Sequence, residues 1–485
     1  MRLPFIAIAA LTITLATSGQ AASQPDYVEI LDDELVDKIQ GGLLGQILGN
    51  LNGLPHELKY NDAPGNVESY TPSLPEGART DDDTDIEWIY TLEMQRSGRL
   101  LVSYPRVAEL WSKHVNTHIW CANEYARLLM DLGIDPPLTG RIALNPWSSF
   151  NISGQFVCEA FGLVAPGMPQ TASRIGLHYT HVSIDGEPAQ STQLLDTMIA
   201  TAFVETDVEK IVDAGLAALD RRSILRAVVG DVQAWFKENP ADWRKTWKAI
   251  HGKYAGHGGM RDFNGSELNT AAIIGSLLYG RGDFVETLRL GFNFGWDADC
   301  NAATAGAIVG VIKGRKRMDA RGWTIRDTYR NLTRPGMPED ETITGYGRRL
   351  VDVAQKVILT HGGEKRVIDG RTVWRIAVEK PASVERLPQP IDRLEELRSA
   401  LLPRIRQDLT GTTRDRARAA YLAMALGEAE TLAEDRPIDW QEALAALKTD
   451  RQLLTALFKA PPSAAKALQD RARAAGLEVP TTSPS

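Results

Sequence analysis

The chain has 485 residues, a length that allows more than one domain at roughly 150 residues each. Its formal net charge is −8 and it has no basic run with interleaved aromatic residues, which argues against a nucleic-acid partner. The cysteines number three, Cys121, Cys158 and Cys300, and this odd count provides no disulfide framework. We therefore expect buried free thiols, with a Cys121–Cys158 pair after export as the alternative that spacing cannot decide.

Residues 1–22 have the pattern of a secretory signal peptide. Arg2 precedes a short apolar run, and small residues form a plausible cleavage site near Ala21 or Ala22. The alternative, a membrane anchor, would need about 20 apolar residues. No later stretch is long and apolar enough to span a bilayer. We therefore expect an exported protein, periplasmic or secreted, without a membrane partner.

The segment DDELVDKIQGGLLGQILGNLNG opens the mature chain and predicts a helix. Its apolar stripe consists of Leu35, Val36, Ile39, Leu43 and Ile47. Gly41, Gly45 and Gly49 recur every four residues, although glycine costs about 1 kcal/mol per helix position relative to alanine. The three glycines therefore indicate close packing against another helix. A Pro-His-Glu sequence that contains Glu57 ends the helix.

An acidic cluster precedes the next predicted helix. In order it contains Arg79, Thr80, Asp81, Asp82, Asp83, Thr84 and Asp85. Apolar residues follow at helical spacing: Ile86, Ile89, Tyr90 and Met94. One or two acids at a helix start are typical caps, but four acids repel one another. A bound hard cation explains the cluster better, because Mg²⁺ and Ca²⁺ take carboxylate and hydroxyl oxygens.

Helical patterns alternate with loops between this cluster and residue 290. His114 and His118 have the i, i+4 spacing that can bind a metal, although paired surface histidines are commoner. The glycine-rich stretch around Gly258 either faces a substrate or forms a flexible turn. Asn264 and Asn269 are weaker candidate site residues.

A second acidic pair lies in GFNFGWDADCNAATAGAIVGVIKG, residues 291–314. Asp297 and Asp299 are two residues apart, and such residues do not share a helix face. They can reach one target only from a turn or from the irregular start of a helix. The helix behind them is rich in small residues: Ala302, Ala303, Ala305, Gly306, Ala307 and Gly310. This composition predicts close helix contacts that hold the two carboxylates rigidly.

The C-terminal part changes character. Residues 365–380 predict a β-hairpin, since Asp369-Gly370 is a strong two-residue turn signal between apolar runs. Residues 381–390 are rich in proline and predict a linker. Residues 391–485 have helical spacing, rich in Ala, Leu, Arg and Glu, and predict a helical extension that packs as a separate unit.

Taken together, these motifs resemble the ADP-ribosylglycohydrolase family, over about residues 30–360. The glycine-rich helix with Glu57, the aspartate cluster and the Asp297 segment are similar to the family's opening helix and its two acidic motifs. The resemblance implies an all-α orthogonal helical bundle at 23–364, in a bacterial, exported member. Here the hairpin and the helical extension would follow that domain.

The resemblance also implies the site. Two Mg²⁺ ions, with Mn²⁺ as an alternative, would be held by Asp81, Asp82, Asp83, Asp297 and Asp299. Cys300 stands where many members have Thr or Ser, and a thiol is a poor magnesium ligand. In an alternative register of the first motif, Thr80 would be the hydroxyl ligand. The implied catalytic residues are Asp82, Asp83, Asp299 and Glu57. The implied substrate contacts are Glu57, Asn145, Ser148 and His181, to which we add Gly258.

The function expected from this pattern is magnesium-dependent hydrolysis of a ribosyl N- or O-glycosidic bond through a metal-positioned water. The substrate would be a small molecule or an ADP-ribosylated one, and the chain is expected to be a monomer. Two alternatives stay open: a non-catalytic binding or structural protein on the same scaffold, and a hydrolase of nucleosides or other glycosides.

Overall fold

The computed structural model describes residues 26–387 and 389–478, so the predicted signal peptide, residues 1–22, lies outside the described residues. The α-helices are, in order, α1 (Asp32–Gly53), α2 (Asp82–Ser97), α3 (Tyr104–His114), α4 (Cys121–Asp131), α5 (Ser153–Phe156), α6 (Glu159–Leu163), α7 (Pro169–Thr180), α8 (Glu187–Thr201), α9 (Val208–Ala218), α10 (Ile224–Glu238), α11 (Trp243–Tyr254), α12 (Ser266–Gly280), α13 (Phe284–Phe294), α14 (Ala298–Lys313), α15 (Arg315–Asp319), α16 (Ile343–Thr360), α17 (Pro390–Asp408), α18 (Thr413–Leu426), α19 (Ala429–Asp435), α20 (Pro437–Lys448), α21 (Arg451–Lys459) and α22 (Pro462–Ala474). Short 3₁₀ turns lie at Leu54–His56, Leu138–Gly140, Pro146–Ser149 and Gly259–Asp262. The predicted all-α class is confirmed.

The strands are few and short. They are β1 (Asp26–Leu31), β2 (Ala78–Arg79), β3 (Tyr329–Arg330), β4 (Asp340–Glu341), β5 (Glu364–Ile368) and β6 (Arg371–Val378). The predicted hairpin is confirmed as β5–β6, with positive φ angles at Asp369 and Gly370 in its turn. It is not isolated, however, because β1 pairs antiparallel with β6 in the sheet order β1-β6-β5.

Helices α1 and α14 form the centre of the main core. A Cβ at Gly45 would overlap the carbonyl oxygen of Gly306, and one at Gly41 or Gly49 would overlap the backbone of α14. The two helices therefore touch backbone to backbone along their small residues, which confirms the predicted close packing. This contact fixes the start of α14, and with it Asp299, against the end of α1 at Gly53.

A second small sheet holds the start of α2. β2 runs parallel to β3, and β3 pairs antiparallel with β4. The non-helical segment 320–342 contains β3 and passes beside the first acidic cluster, as the contacts of Leu332 and Thr333 with Thr80 show.

The C-terminal helices α17–α22 form the expected extension, but they do not pack as a separate unit. They share a buried apolar cluster with α4 and with the segment around Trp147. The Tyr125 and Tyr421 hydroxyls are 2.9 Å apart, and Arg418 Nη1 donates to the Leu132 carbonyl at 3.1 Å. The expectation of an independent unit is corrected, because the apolar face of the C-terminal helices is buried against the main domain.

The expected linker, 381–390, is also held in place. The amides of Val384 and Glu385 donate to Gln193 Oε1 at 2.8 and 2.9 Å.

Within the described part of the chain, no helix has the length and apolarity needed to cross a membrane.

Candidate metal centre and active site

Three helix ends converge on one cavity. α1 leads into the turn that carries Glu57, α2 begins at Asp82, and α14 begins next to Asp297. The cavity encloses about 270 Å³. Its lining consists of Leu54, Glu57, Leu58, Asp81, Asp82, Trp120, Cys121, Asn151, Ser153, Phe156, Met260, Phe263, Asn264, Asp297, Asp299 and Cys300. The two acidic clusters, more than two hundred residues apart in sequence, thus meet in one place.

Asp83 lies next to the cavity lining, in contact with Cys300. Its Oδ2 accepts a 2.6 Å hydrogen bond from Asn50 Nδ2, and its Oδ1 accepts one from Cys300 Sγ at 2.8 Å. Asn50 Nδ2 also donates to Asp81 Oδ2 at 3.0 Å. The amide of Asn50 joins two carboxylates of the first cluster and orients both.

At the cavity, two groups of three side chains have the spacing of metal ligands. The ligand atoms of Asp83, Asp299 and Cys300 lie within 4.8 Å of one another, and so do those of Glu57, Asp297 and Asp299. Asp299 belongs to both groups. Its Oδ1 is buried and has no hydrogen-bond partner among the described residues. Leaving such an oxygen unpaired costs about 1–3 kcal/mol, so its position favours a ligand.

The electrostatics of the cavity favour a cation. Burial raises the pKa of Asp82, Asp83 and Asp299 well above the ordinary value, and neighbouring carboxylates raise it further. The pKa of Glu57 is raised to about 7, first by burial and then by the charge of Asp297. Without a bound cation, several of these carboxyls would have to keep a proton at neutral pH.

Asp297 is positioned by a conformation unusual for its neighbour. Trp296 has a φ of +53°, in the left-handed region. Its ring is fully buried and stacks parallel on Trp247, with centroids 5.5 Å apart. Asn264 Nδ2 donates to Asp297 Oδ2 at 3.0 Å, and the Asp297 amide donates to Asn269 Oδ1 at 3.1 Å. The two asparagines judged weaker candidates therefore both contact Asp297.

The hydroxyl groups of the first motif face away from the cavity. Thr80 Oγ1 accepts hydrogen bonds from the amides of Leu332 and Thr333, at 2.8 and 3.1 Å, so the alternative register with Thr80 as a ligand is not supported. Thr84 Oγ1 lies 2.8 Å from the Tyr329 hydroxyl. Asp81 lines the cavity but belongs to neither group of three.

The fourth acid of the first cluster has a structural partner. Asp85 Oδ2 lies 2.7 Å from Arg334 Nε, and both side chains are fully buried. Thr333 Oγ1 donates to the same oxygen at 2.7 Å. Arg79 adjoins this cluster in sequence, and the loop before α16 adds Arg334 to it.

The structure does not bring Asn145 and Ser148 to the cavity. Asn145 Nδ2 donates to the carbonyls of Ala122 and Thr139, both at 3.0 Å, and its Oδ1 caps the turn at Trp147. Ser148 Oγ donates to the Asn145 carbonyl at 2.7 Å. Their expected place beside the substrate is corrected, because these polar atoms are used to hold a buried loop.

His181 also lies outside the cavity. Its Nε2 is 2.8 Å from Glu385 Oε2, and its Nδ1 is 3.0 Å from the Ile184 carbonyl. Burial alone would lower the pKa of His181. The hydrogen bond with Glu385 and the negative charge of that residue outweigh burial, so the pKa of His181 is raised overall. His181 thus attaches the segment after β6 to the core, which corrects its expected substrate contact.

Gly258 lies on the loop beside the cavity rather than in its lining. Its amide donates to Asp262 Oδ1 at 2.8 Å, while Met260, Phe263 and Asn264 from the same segment line the cavity. The His114–His118 pair does not form a metal site on a helix, since α3 ends at His114.

Several lining residues had no signal in the sequence. Trp120 is 55% exposed and lies at the cavity beside Cys121, which has a φ of +52°. Asn151, Met260 and Phe263 come from segments that reach the cavity only through tertiary folding. Positive φ angles at His118 and Cys121 cannot be read from residue type, so this wall was not predictable.

The chain is similar to proteins of one family. A solved structure described as an ADP-ribosylglycohydrolase-related protein complex is 14% identical, covering 67% of this chain and 98% of its own with a TM-score of 0.41. No curated protein matches the chain. The family model described as ADP-ribosylglycohydrolase matches residues 31–356, which include both acidic clusters and the cavity between them. The chain therefore belongs to the ADP-ribosylglycohydrolase family.

Proposed function

We propose that this glycosidase hydrolyses a ribosyl N- or O-glycosidic bond, on a small or ADP-ribosylated substrate, with divalent metal ions bound in the cavity. The main support is Asp299, which belongs to both groups of ligand atoms and has a buried oxygen without a partner among the described residues. A carboxylate that belongs to both groups could serve as a ligand to each of two cations.

The side chains fit Mg²⁺ in one group of three. Glu57, Asp297 and Asp299 offer only carboxylate oxygens, which are the ligands that Mg²⁺ and Mn²⁺ accept. Ions held there would polarise a water and orient the ribose hydroxyls. Asn264 would keep the Asp297 carboxylate oriented through its 3.0 Å hydrogen bond.

We assign Glu57 the role of proton acceptor. It is the most exposed of the acids in the two groups and projects at the cavity rim from the turn after α1. Glu57 would hold the ion through one carboxylate oxygen and accept the proton of the water with the other. Asp82 lines the cavity outside both groups and would add negative charge that favours an oxocarbenium-like transition state.

The size of the cavity supports a sugar-sized reacting group. Its roughly 270 Å³ lies just below the range of about 300–1,000 Å³ usual for drug-sized ligands. The cavity would enclose the ribose, and the rest of the substrate would extend past Trp120 at the mouth. Free nucleosides, the smaller alternative substrates, fit the same description.

A product screen tests the proposal. The purified mature chain is incubated with ADP-ribosyl-arginine, ADP-ribosyl-serine and simple nucleosides, with Mg²⁺ or with a chelator. We expect release of a free ribosyl product from at least one substrate, only with metal, and loss of it in Asp299→Asn. Glu109→Gln, an exposed acid paired with Arg106, is the matched control that should keep the activity. Equal release with metal and chelator would contradict the proposal.

We also propose export, because residues 1–22 have the pattern of a signal peptide. N-terminal sequencing of secreted or periplasmic protein should find a start near Ala22 or Ser23. An intact Met1 would contradict export by this route.

A further inference from the structure

The second group of ligand atoms does not match the chemistry of magnesium. It consists of Asp83, Asp299 and Cys300, so one of its three donors is sulfur. Cys300 Sγ lies 2.8 Å from Asp83 Oδ1, so the thiol sulfur is close enough to this carboxylate oxygen for both to bind one ion. Mg²⁺ takes oxygen ligands, whereas thiolates bind borderline and soft ions such as Zn²⁺ and Co²⁺.

We infer that the group of Asp83, Asp299 and Cys300 binds a borderline divalent ion of the Zn²⁺ class through a Cys300 thiolate. The group of Glu57, Asp297 and Asp299 would keep the hard ion of the proposed function. This inference rests on that function, because it gives the two ions of one cavity different identities. It makes the site a mixed-metal centre with Asp299 as the shared ligand.

The donor atoms are available for such an ion. Asn50 occupies Asp83 Oδ2 with a 2.6 Å hydrogen bond and leaves Oδ1 facing Cys300. Asp299 is 4% exposed, and its Oδ1 has no hydrogen-bond partner in the described part of the chain. This unpartnered oxygen is an observation independent of the cysteine, and it points to a ligand at the same place.

The coordination number also fits zinc. Catalytic zinc sites have three protein ligands and an open fourth position for water or substrate. Here three side chains converge, and both Asp299 and Cys300 line the cavity, so the fourth position would open into it. The amide of Asn50 would be the outer partner that orients the Asp83 ligand, as such partners do in known zinc sites.

Binding is a ligand exchange without redox change. The Cys300 sulfur loses its proton to solvent and donates an electron pair to the ion, while Asp83 Oδ1 exchanges the S–H hydrogen bond for a bond to the same ion. Two carboxylates and one thiolate exceed the charge of one divalent ion by one unit. The second ion, which shares Asp299, offsets this excess.

Cobalt spectroscopy tests the inference without an activity assay. The metal-free full chain is titrated with Co²⁺, and the near-ultraviolet absorption is recorded for a sulfur-to-cobalt charge-transfer band. We expect a band that saturates at one equivalent, is abolished in Cys300→Ser, and disappears when Zn²⁺ but not excess Mg²⁺ is added. The matched control is Cys158→Ser, a buried thiol outside the cavity lining, which should keep the band.

Calorimetry with Zn²⁺ and Mg²⁺ separates this inference from the proposed function. Cys300→Ser and Cys300→Thr should weaken Zn²⁺ binding by more than the about 10–100-fold that loss of an outer partner of a ligand costs, and leave Mg²⁺ binding unchanged. Two variants are used so that a fold defect in one does not decide the result, and a thermal melt in chelator checks each. If Co²⁺ binds without the band, or the band depends on Cys121, the inference is overturned while the metal-dependent function stands. If calorimetry detects no divalent ion at all, both are overturned.

Discussion

Trp296 occupies a backbone conformation that favours glycine, immediately before the first acid of the second cluster. A left-handed φ costs about 1–2 kcal/mol for a residue with a side chain. The fully buried indole and its parallel stack on Trp247 offset this cost. The conformation turns Asp297 toward the cavity, so local strain and a specific ring contact position one ligand.

This assignment predicts an unusual order of stability. Trp296→Ala and Trp296→Gly both lose the indole, at about 3–5 kcal/mol. Glycine also relieves the left-handed strain, so Trp296→Gly should be more stable than Trp296→Ala by about 1 kcal/mol. Glycine is ordinarily the less stable of the two inside a helix or strand. Urea unfolding in chelator measures the difference, and a more stable alanine variant would contradict the strain.

A buried carboxyl behind the site predicts a pH effect. Burial raises the pKa of Glu159 to about 7 from an ordinary 4.5, although the Thr304 hydroxyl donates to it. Because the folded-state pKa is the higher one, its contribution to the free energy of unfolding is complete below about pH 4.5 and is lost as pH rises through about 7.

Glu159→Gln should therefore reduce the loss of stability between pH 4.5 and 7, by on the order of 1–3 kcal/mol. Unfolding free energies are measured in chelator at several pH values for the wild type, for Glu159→Gln and for the exposed control Glu109→Gln. Parallel pH curves for Glu159→Gln and the wild type would show that the pKa of Glu159 is the same in the folded and the unfolded chain, which would contradict the prediction.

At the scale of elements, the contact between α1 and α14 decides the geometry of the site. Glycines of α1 lie directly on the backbone of α14, and Gly53 lies against Asp299. The same contact joins the end of one helix to the start of the other, where the acids converge. Small residues are needed here because packed cores have little room for an added methyl group.

Gly45→Ala tests this contact. Its methyl group would overlap the Gly306 carbonyl, so overpacking should destabilise the fold by about 1–3 kcal/mol. The matched control is Gly230→Ala in α10, where the added carbon would meet nothing within 4 Å. That change should be stabilising by up to about 1 kcal/mol, since alanine has the better helix propensity. Equal effects of the two substitutions would contradict the close contact.

Residue pattern was enough to predict the small-residue contact and the hairpin turn, whereas the all-α class and the meeting of Asp82, Asp83, Asp297 and Asp299 were expected from the resemblance to the family. It was not enough for β1, whose partner β6 lies more than three hundred residues away. It also misplaced Asn145, Ser148 and His181, because their polar atoms are used by loop carbonyls and by Glu385. Such partners arise only from tertiary folding and leave no local signal.

At the scale of the whole molecule, the C-terminal helices are part of the wall that supports the cavity. α4 begins at Cys121, which lines the cavity, and its inner face packs against α17–α22 in one apolar cluster. Arg414 reinforces this interface by donating to the carbonyls of Asp131 and Met130, at 2.6 and 2.9 Å. The extension is thereby connected to the site through α4.

Removal of residues 381–485 should therefore expose the apolar face of α4. We expect aggregation, or a melting temperature well below that of the full chain, because Tyr125, Leu129 and their neighbours would lose their cover. Size-exclusion chromatography and thermal melts make the comparison. A monodisperse shortened chain with an unchanged melting temperature would show that the extension is independent.

The central claim is that the two acidic clusters form one metal site, and thermal melts with Mg²⁺ or Mn²⁺ against chelator test it most directly. Metal at 100 times its Kd should stabilise the native wild type by about 2.7 kcal/mol. Asp299→Asn should lose most of that gain, because the shared ligand loses its charge, while Glu109→Gln should retain it. The account predicts that metal raises the melting temperature of the wild type and of Glu109→Gln, but not that of Asp299→Asn. A wild-type melting temperature that is the same in saturating metal and in chelator would contradict it.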